Sequence, residues 1–231
     1  MGAHDGVLLG DPQGRRMLSR PHHRGFTLVE LLVGLAIVAM LLAMAAPSLR
    51  TYSENSKLRA SAETFSSMLQ KARMEAVTRN AVVEFMFTNQ DVATDVDAFV
   101  AAANGRNWVM RVKNPAPAST PEHILLGARS AAEGATNASA TSVQLDAKSS
   151  SGVDITSVNF NSLGQPSLNA LPDASGALRE AGVFAFSNPL GGACDSADGG
   201  AMRCLQVRSS VSGEVRICDP TVTATGDSRK C

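Results

Sequence analysis

Arg24-Gly25-Phe26-Thr27-Leu28-Val29-Glu30-Leu31-Leu32-Val33 begins an apolar run that continues to Ala46. The 19 residues from Leu28 to Ala46 carry a single charge, that of Glu30. As a helix rising about 1.5 Å per residue, this run would reach about 28 Å, close to the hydrocarbon thickness of a bilayer. The sequence therefore predicts a membrane-spanning helix near the start of the chain.

The residues before this helix predict its orientation. They are basic and include Arg15, Arg16, Arg20, His22, His23 and Arg24. Because positive residues stay on the cytoplasmic side, we expect a cytoplasmic N-terminus and a periplasmic C-terminal domain. A secretory signal has its small-residue cleavage site after the apolar core. Here the small residue, Gly25, precedes the core, so the apolar run would survive processing as an inner-membrane anchor.

Glu30 is the most informative residue of the run. A carboxylate near the end of an apolar helix is costly, and it usually has a function and a partner. Cleavage after Gly25 would create a new amine at Phe26, one helical turn from Glu30. That amine and the carboxylate would neutralise each other, within one chain or between neighbouring chains.

Gly25-Phe26-Thr27-Leu28-Val29-Glu30 resembles the prepilin motif of type IV pilins and type II secretion pseudopilins. The resemblance implies that a prepilin peptidase cuts between Gly25 and Phe26, that Phe26 is then N-methylated, and that Glu30 acts in assembly. It makes residues 1–25 a leader; a start at Met17 would give a nine-residue leader and make residues 1–16 a start-site artefact. A plain single-span anchor with an incidental glutamate is the alternative.

The segment after Pro47 predicts an amphipathic continuation of the helix. Its apolar residues recur at spacings of three and four, which places them on one helical face: Leu58, Ala62, Phe65, Leu69, Ala72 and Ala76. We expect one helix from about Phe26 to Arg79, bent near Pro47, with residues 26–48 in the membrane and 49–80 packed on a sheet. Two separate helices are the alternative.

The end of this helix carries a second resemblance. Residues 70–80 resemble the Ala-Arg-x-Glu-Ala-x-x-Arg-Asn pattern that ends the long helix in the GspH/FimT branch of minor pilins and pseudopilins. Asn80 is a suitable helix stop, because asparagine tolerates the left-handed conformation. We interpret Arg73 and Glu75 as residues of a solvated face.

Residues 81–231 predict a β-rich domain. Eight apolar or alternating stretches are typical of short strands: residues 81–88, 107–112, 124–126, 143–145, 158–165, 183–186, 205–211 and 214–218. Of these, 158–165 predicts a strand that runs into a turn. Residues 89–105 predict a loop or short helix, residues 127–152 a weakly ordered segment or a surface insertion, and Gly164 a turn with positive φ. The predicted fold class is α+β, a long N-terminal helix on a small antiparallel sheet domain.

The four cysteines predict a disulfide framework. Cys194, Cys204, Cys218 and Cys231 all fall within the last 38 residues, an even number in an exported domain. Four cysteines allow three pairings, and the sequential one gives two short loops, each stabilising the fold by about 2–3 kcal/mol. Zinc binding is the alternative, but Cys-x-x-Cys does not occur and His123 is the only histidine after the leader.

Residue chemistry gives no support for catalysis. A Ser-His-Asp or Cys-His site would depend on His123 alone, beside a proline-containing loop. Asp91, Asp95 and Asp97 lack the glycine and terminal glutamate of a calcium loop, so we interpret them as a solvated acidic loop. We expect neither a cofactor nor a metal.

The whole pattern favours a minor pilin that primes or enters a type IV pilus and supports pilus assembly, twitching motility and adhesion. Its expected partners are other pilins or pseudopilins, the prepilin peptidase and the inner membrane. The alternative is a minor pseudopilin of a type II secretion system.

A further alternative is a DNA-binding minor pilin for natural transformation. Some FimT proteins bind DNA through Gly-Arg-x-Arg, whereas this chain has Gly213-Glu214-Val215-Arg216, whose glutamate would repel phosphate. The residues available for DNA contact are Arg208, Arg216, Arg229 and Lys230.

Overall fold

The structure, a computed structural model, describes residues 25–91, 95–115, 121–129, 143–171, 177, 179–194 and 200–231. The chain divides into two units, Met1–Ala45 and Ala46–Cys231. Helix α1 spans Leu28–Arg79. Its first part belongs to the first unit, of which residues 25–45 are described, and its second part begins the second unit. Its extent confirms the predicted single helix, while the bend near Pro47 stays a prediction.

Within the described residues, nine strands follow the helix. They are β1 (Val83–Thr88), β2 (Asn107–Lys113), β3 (His123–Arg129), β4 (Gln144–Ser149), β5 (Ser157–Phe160), β6 (Pro166–Leu168), β7 (Gly182–Ser187), β8 (Leu205–Ser209) and β9 (Val215–Cys218). All the pairings between them are antiparallel. Sheet A has the order β3-β2-β1-β5-β6 and sheet B the order β4-β7-β8-β9. The fold is α+β, as the sequence predicts.

The predicted apolar stripe of α1 forms the centre of the core. Its six residues are fully buried, which confirms the prediction from their spacing. Phe65 lies within 4.9–5.9 Å, ring centroid to ring centroid, of five aromatic side chains: Phe85, Phe87, Trp108, Phe184 and Phe186. Three of these rings belong to sheet A and two to sheet B, so this one side chain packs against both sheets.

The end of α1 follows directly from local chemistry. Asn80 has φ of 48°, and its N–H donates to the carbonyl of Val77 at 3.3 Å. The N–H of Ala81 donates to the carbonyl of Ala76 at 3.2 Å. These two bonds form a Schellman motif, which satisfies carbonyls that the helix end would otherwise leave unpaired. The predicted stop at Asn80 is therefore confirmed.

The turn after β5 is as predicted, whereas one strand was missed and one segment needs correction. The prediction for 158–165, a strand running into a turn, is confirmed: β5 ends at Phe160, a turn follows, and β6 begins at Pro166. Strand β6 was missed because it has three residues and begins with proline, which a strand accepts at a sheet edge. Residues 127–152 are not simply weakly ordered or an insertion, since they contribute to β3 and form β4; residues 130–142 lie outside the described part of the chain.

The loop between β1 and β2 covers the outer face of sheet A. Its residue Phe99 is buried against Met86 and Val109 in a second, smaller apolar cluster. Beside this cluster Arg111 donates to Glu84 at 2.6 Å and to the carbonyl of Val96 at 2.7 Å. Strand β1 is thus buried on both faces, and the described part of the loop contains no helix.

Phe65→Ala should destabilise the domain by about 3–5 kcal/mol, because it removes a fully buried ring and leaves a cavity between the two sheets. Denaturant unfolding of the full chain in detergent, followed by tertiary-structure circular dichroism, measures this loss. Met74→Ala is the matched control, since Met74 lies on the same helix and is 65% exposed; its effect should stay within about 0.5 kcal/mol. Equal effects of the two substitutions would contradict the central position of Phe65.

Candidate functional site

The first turn of α1 is fixed by Thr27. Its carbonyl accepts the first helical hydrogen bond from Leu31 at 3.1 Å, and its Oγ1 accepts the N–H of Glu30 at 3.2 Å. Thr27 is therefore the N-cap, and Thr27-Leu28-Val29-Glu30 has the spacing of a capping box. Glu30 lies in the first turn, where a negative charge interacts favourably with the positive end of the helix dipole.

The helix that follows displays its apolar side chains on all sides. The large apolar residues from Leu28 to Met44 are between 52% and 76% exposed, and Phe26 is also exposed. A soluble monomer rarely exposes a continuous apolar surface of this extent. The carboxylate of Glu30 has no hydrogen bond or ion pair within the described residues. The described N-terminal segment thus combines an uncovered apolar helix with one unpaired charge.

By length and composition alone, no single helix in the described part of the chain could span a membrane. The two segments Leu28–Met44 and Ser48–Arg79, taken together, are long and apolar enough to span one. The basic residues that predict the orientation, and the leader up to Arg24, lie outside the described residues.

Arg73 does not belong to a solvated face, and that interpretation is wrong. Its Nε donates to the carbonyl of Gly164 at 3.2 Å, and its Nη2 donates to the carbonyl of Ser212 at 3.3 Å. Gly164 lies in the turn between β5 and β6, and Ser212 in the turn between β8 and β9. Arg73 therefore connects α1 to one turn of each sheet. Glu75 instead pairs with Arg79 at 2.7 Å along the helix.

Two glycines make the Arg73 contact possible. Gly164 and Gly213 have φ of 74° and 84°, which disfavours residues with a side chain. A Cβ on Gly213 would also collide with the carbonyl oxygen of Gly164, and a Cβ on either glycine would crowd the Arg73 guanidinium. The predicted positive φ at Gly164 is confirmed. The sequence pattern around Arg73 was visible, but its partners, 91 and 139 residues away, were not.

The four cysteines form two disulfides, Cys194–Cys204 and Cys218–Cys231, the sequential pairing that the sequence analysis favoured. The first closes a segment between β7 and β8, and the second ties the last residue of β9 to Cys231. A parallel bridge between Asp219 and Lys230 supports the second closure. Cys204 and Cys218 are buried, so the framework belongs to the core of sheet B.

The four residues proposed for DNA contact are engaged within the chain. Arg208 and Arg216 lie directly opposite each other on β8 and β9 and both donate to the main-chain oxygen of Cys231, at 3.0 and 3.5 Å. Lys230 donates to the carbonyl of Thr223 at 3.2 Å. Arg229 pairs with Asp227 at 2.8 Å and lowers the pKa of that carboxyl to about 2. DNA binding stays a prediction.

His123, the first residue of β3, is hydrogen-bonded to Asp97 in the loop between β1 and β2. Its N–H and its ring Nδ1 both lie 2.9 Å from Oδ1 of Asp97, and the N–H of Glu122 donates to Oδ2 at 2.6 Å. Partial burial opposes ionisation of Asp97, but these hydrogen bonds outweigh it and hold the pKa of the carboxyl below its ordinary value. No cluster of three metal-ligating side chains is found among the described residues.

Two family models match the sequence. One, described as the prokaryotic N-terminal methylation motif, covers residues 20–46, and the other, described as type II transport protein GspH, covers residues 61–229. No curated protein sequence matches the chain.

Two solved structures are similar to the chain in fold. The Pseudomonas aeruginosa type IV minor pilin FimU is 18% identical with a TM-score of 0.42, covering 72% of this chain and 91% of FimU. The minor pseudopilin EpsH from the type 2 secretion system of Vibrio cholerae is 13% identical with a TM-score of 0.38, covering 72% of this chain and 99% of EpsH. Values this low carry no inference about function.

Arg73→Ala should destabilise the domain by about 1–3 kcal/mol, because two carbonyls lose a charged donor. The matched control is Lys71→Ala, an exposed position two residues earlier on α1, which should change stability by less than about 0.5 kcal/mol. Denaturant unfolding of both full-length variants in detergent measures the difference. Equal stabilities would show that the Arg73 contacts contribute nothing to the junction of the two turns.

Proposed function

Because the chain belongs to the family of the type II transport protein GspH, we propose that it is a minor pilin, an assembly subunit that primes or enters a type IV pilus. The observation that carries this proposal is the exposed apolar helix Leu28–Met44 with Glu30 as its one charge. The apolar surface of such a helix must be buried, first in the lipid bilayer and then against the corresponding helices of other subunits. The domain outside it contributes stability and contacts rather than catalysis.

Maturation creates the partner of Glu30. Cleavage between Gly25 and Phe26 releases the leader and leaves a methylated amine at Phe26, as the N-terminal methylation motif implies. Within one chain this amine lies about one turn from Glu30. In an assembly it meets the Glu30 of a neighbouring subunit instead. Pairing removes two charges from an apolar setting, whereas leaving either one unpaired would cost several kcal/mol.

Pairing of this kind would set the register of assembly. An apolar helix slides along its neighbours at little cost, because one Leu or Val contact resembles the next. A single carboxylate that must meet a single amine has one satisfactory position. The subunit would wait in the inner membrane with a cytoplasmic N-terminus and a periplasmic C-terminal domain, and then enter the pilus through this helix.

The choice of pilus rather than secretion system is supported by the C-terminal disulfides. Two disulfides near the end of the chain resemble FimT/FimU-type minor pilins more than the cysteine-poor secretion subunits. The second candidate is a minor pseudopilin of a type II secretion system, which membership in the family of the type II transport protein GspH favours. Both candidates share the helix mechanism and differ in the machine that the subunit joins.

Glu30→Ala should still be inserted in the membrane and processed, but should be missing from the assembled complex, because the neighbouring amine would have no partner. Immunoblots of membrane and sheared surface fractions measure this distribution. Glu63→Ala is the matched control: Glu63 lies on the same helix and, within the described part of the chain, pairs with Arg59 on an exposed surface, a contact worth about 0.5 kcal/mol or less. Normal incorporation of the Glu30 variant would remove the proposed mechanism.

Deletion of the gene distinguishes the pilus proposal from the secretion-system proposal. We expect loss of surface pili and of twitching motility with unchanged secretion of exoproteins, restored by the wild-type gene. The physical reason is that a missing priming subunit removes the surface on which further helices assemble. Loss of secretion with normal pili would replace the pilus proposal by the pseudopilus one, and loss of neither would contradict both.

A further inference from the structure

A groove lies between α1 and the β9 side of sheet B, and the residues that line it all belong to the second unit. Its volume is about 620 Å³. Tyr52, Ser56 and Arg59 line it from α1. The opposite wall consists of residues in or close to β8 and β9, among them Arg203, Leu205, Ile217, Asp219 and Arg229. We call it the arginine groove, because an arginine contributes to it from each of three segments.

The arginine groove has an apolar floor. Leu205 and Ile217 line it and also pack against the main core cluster, so they form its deep side. Tyr52 is 76% exposed, and its hydroxyl has no hydrogen-bond partner among the described residues. A tyrosine in this state is typical of contact surfaces, because a partner can cover the apolar ring and satisfy the polar tip together.

Each arginine of the groove pairs with one carboxylate and is the more exposed partner of its pair. The pairs are Arg59–Glu63 at 2.8 Å, Arg203–Asp219 at 3.3 Å and Arg229–Asp227 at 2.8 Å. In the second pair 60% of the arginine side chain is exposed, against 8% of the aspartate side chain. A guanidinium has five N–H donors, and these pairs use one or two of them. Within the described residues, the groove therefore presents unused N–H donors.

The charges of the groove indicate the kind of ligand that it accepts. Its three guanidiniums and their three carboxylates offset one another, so the groove exerts little long-range attraction on a dense polyanion such as DNA. A guanidinium still recognises a single carboxylate at close range, because two parallel N–H groups match its two oxygens. Exposed ion pairs are weak, so an incoming carboxylate can share or replace the internal one. The ligand that fits is a segment with carboxylates beside apolar side chains.

We propose that the arginine groove is the docking site for an acidic, partly apolar segment of a neighbouring pilin-type subunit, a step that rests on the proposed function. The apolar side chains of that segment lie against Leu205, Ile217 and the ring of Tyr52. Its carboxylates accept hydrogen bonds from the exposed guanidiniums of the groove. Because one wall of the groove is α1 itself, the bound segment contacts the helix through which the subunit enters the assembly.

This contact gives the subunit a means to distinguish one neighbour from another. Apolar helices pack against many similar helices with little selectivity, because one apolar contact resembles the next. Pairs between guanidiniums and carboxylates have direction, and a neighbour without the carboxylates would leave the donors unused. Under the proposed function, Glu30 sets the register of the helix and the arginine groove determines which subunit lies beside the domain.

Site-specific photo-crosslinking of the full chain in cells identifies the occupant of the groove. Benzoylphenylalanine in place of Tyr52 retains an aromatic ring there, and we expect it to capture an acidic segment of another pilin-type subunit. The matched control is the same photoreactive residue in place of Lys71, which is exposed on α1 and does not line the groove; it should not capture that segment. Crosslinks from position 52 to lipid, to DNA, to a segment without carboxylates or to nothing, in a subunit that is incorporated, would overturn the proposal.

Arg59→Gln measures the part played by one guanidinium, and Arg79→Gln is its matched control. Both arginines lie on α1 and pair with a glutamate four residues away, but Arg59 lines the groove and Arg79 does not. We expect the yield of the crosslinked product to fall about tenfold with Arg59→Gln and to stay within about twofold with Arg79→Gln. Glu63 only competes with the ligand for Arg59, so its removal should not weaken docking. Equal yields for the two arginine variants would contradict the docking site.

A charge exchange completes the test. Arg59→Glu should abolish the crosslink, and a lysine in place of the captured carboxylate of the neighbour should restore it, because the ion pair forms again with its charges reversed. No restoration, with both proteins folded, would overturn the proposed pairing. The two proposals fail in different ways. Failure of the proposed function appears as normal assembly of Glu30→Ala, whereas failure of the docking site appears as a missing or unselective crosslink in a subunit that still assembles.

Discussion

The domain depends on the packing of one aromatic residue of α1 between two sheets. Phe65 contacts Phe85 and Phe87 of sheet A and Phe184 and Phe186 of sheet B. The two sheets have no strand in common, so each needs another layer to bury its apolar face. The helix supplies that layer to both. The small residues Ala62, Ala72 and Ala76 let the strands approach the helix backbone closely.

Polar contacts then fix the helix against rotation and sliding. Arg73 reaches one turn from each sheet near the end of α1. About five turns earlier, Glu54 accepts a hydrogen bond from Asn188, and Asn55 accepts one from the N–H of Arg203. An apolar stripe by itself tolerates small shifts, because apolar contacts have no direction. Hydrogen bonds to specific carbonyls do not tolerate them. These contacts therefore hold residues 54–73 of α1 in a single position on the β-domain.

The distribution of charge separates the two halves of the helix. Within the domain acidic side chains have nearby partners, such as Glu84 with Arg111 at 2.6 Å and Glu54 with Lys57 at 2.8 Å. Glu30 has none among the described residues. The described residues thus combine a domain whose charges are paired internally with an apolar segment whose one charge still needs a partner.

The sequence by itself determined the local features: the helix to Arg79, its stop at Asn80, the buried stripe and most of the strands. Each depends on residues within a few positions of one another, so spacing and residue type are enough. Only the tertiary structure decided the position of β6, the long-range contacts of Arg73, Glu54 and Asn55, and the Asp97–His123 pair. The partners of Arg73, Glu54 and Asn55 are 91 to 148 residues away. Local sequence predicts that a polar side chain on a helix is solvated. It cannot indicate which distant backbone group the fold will bring into contact with that side chain.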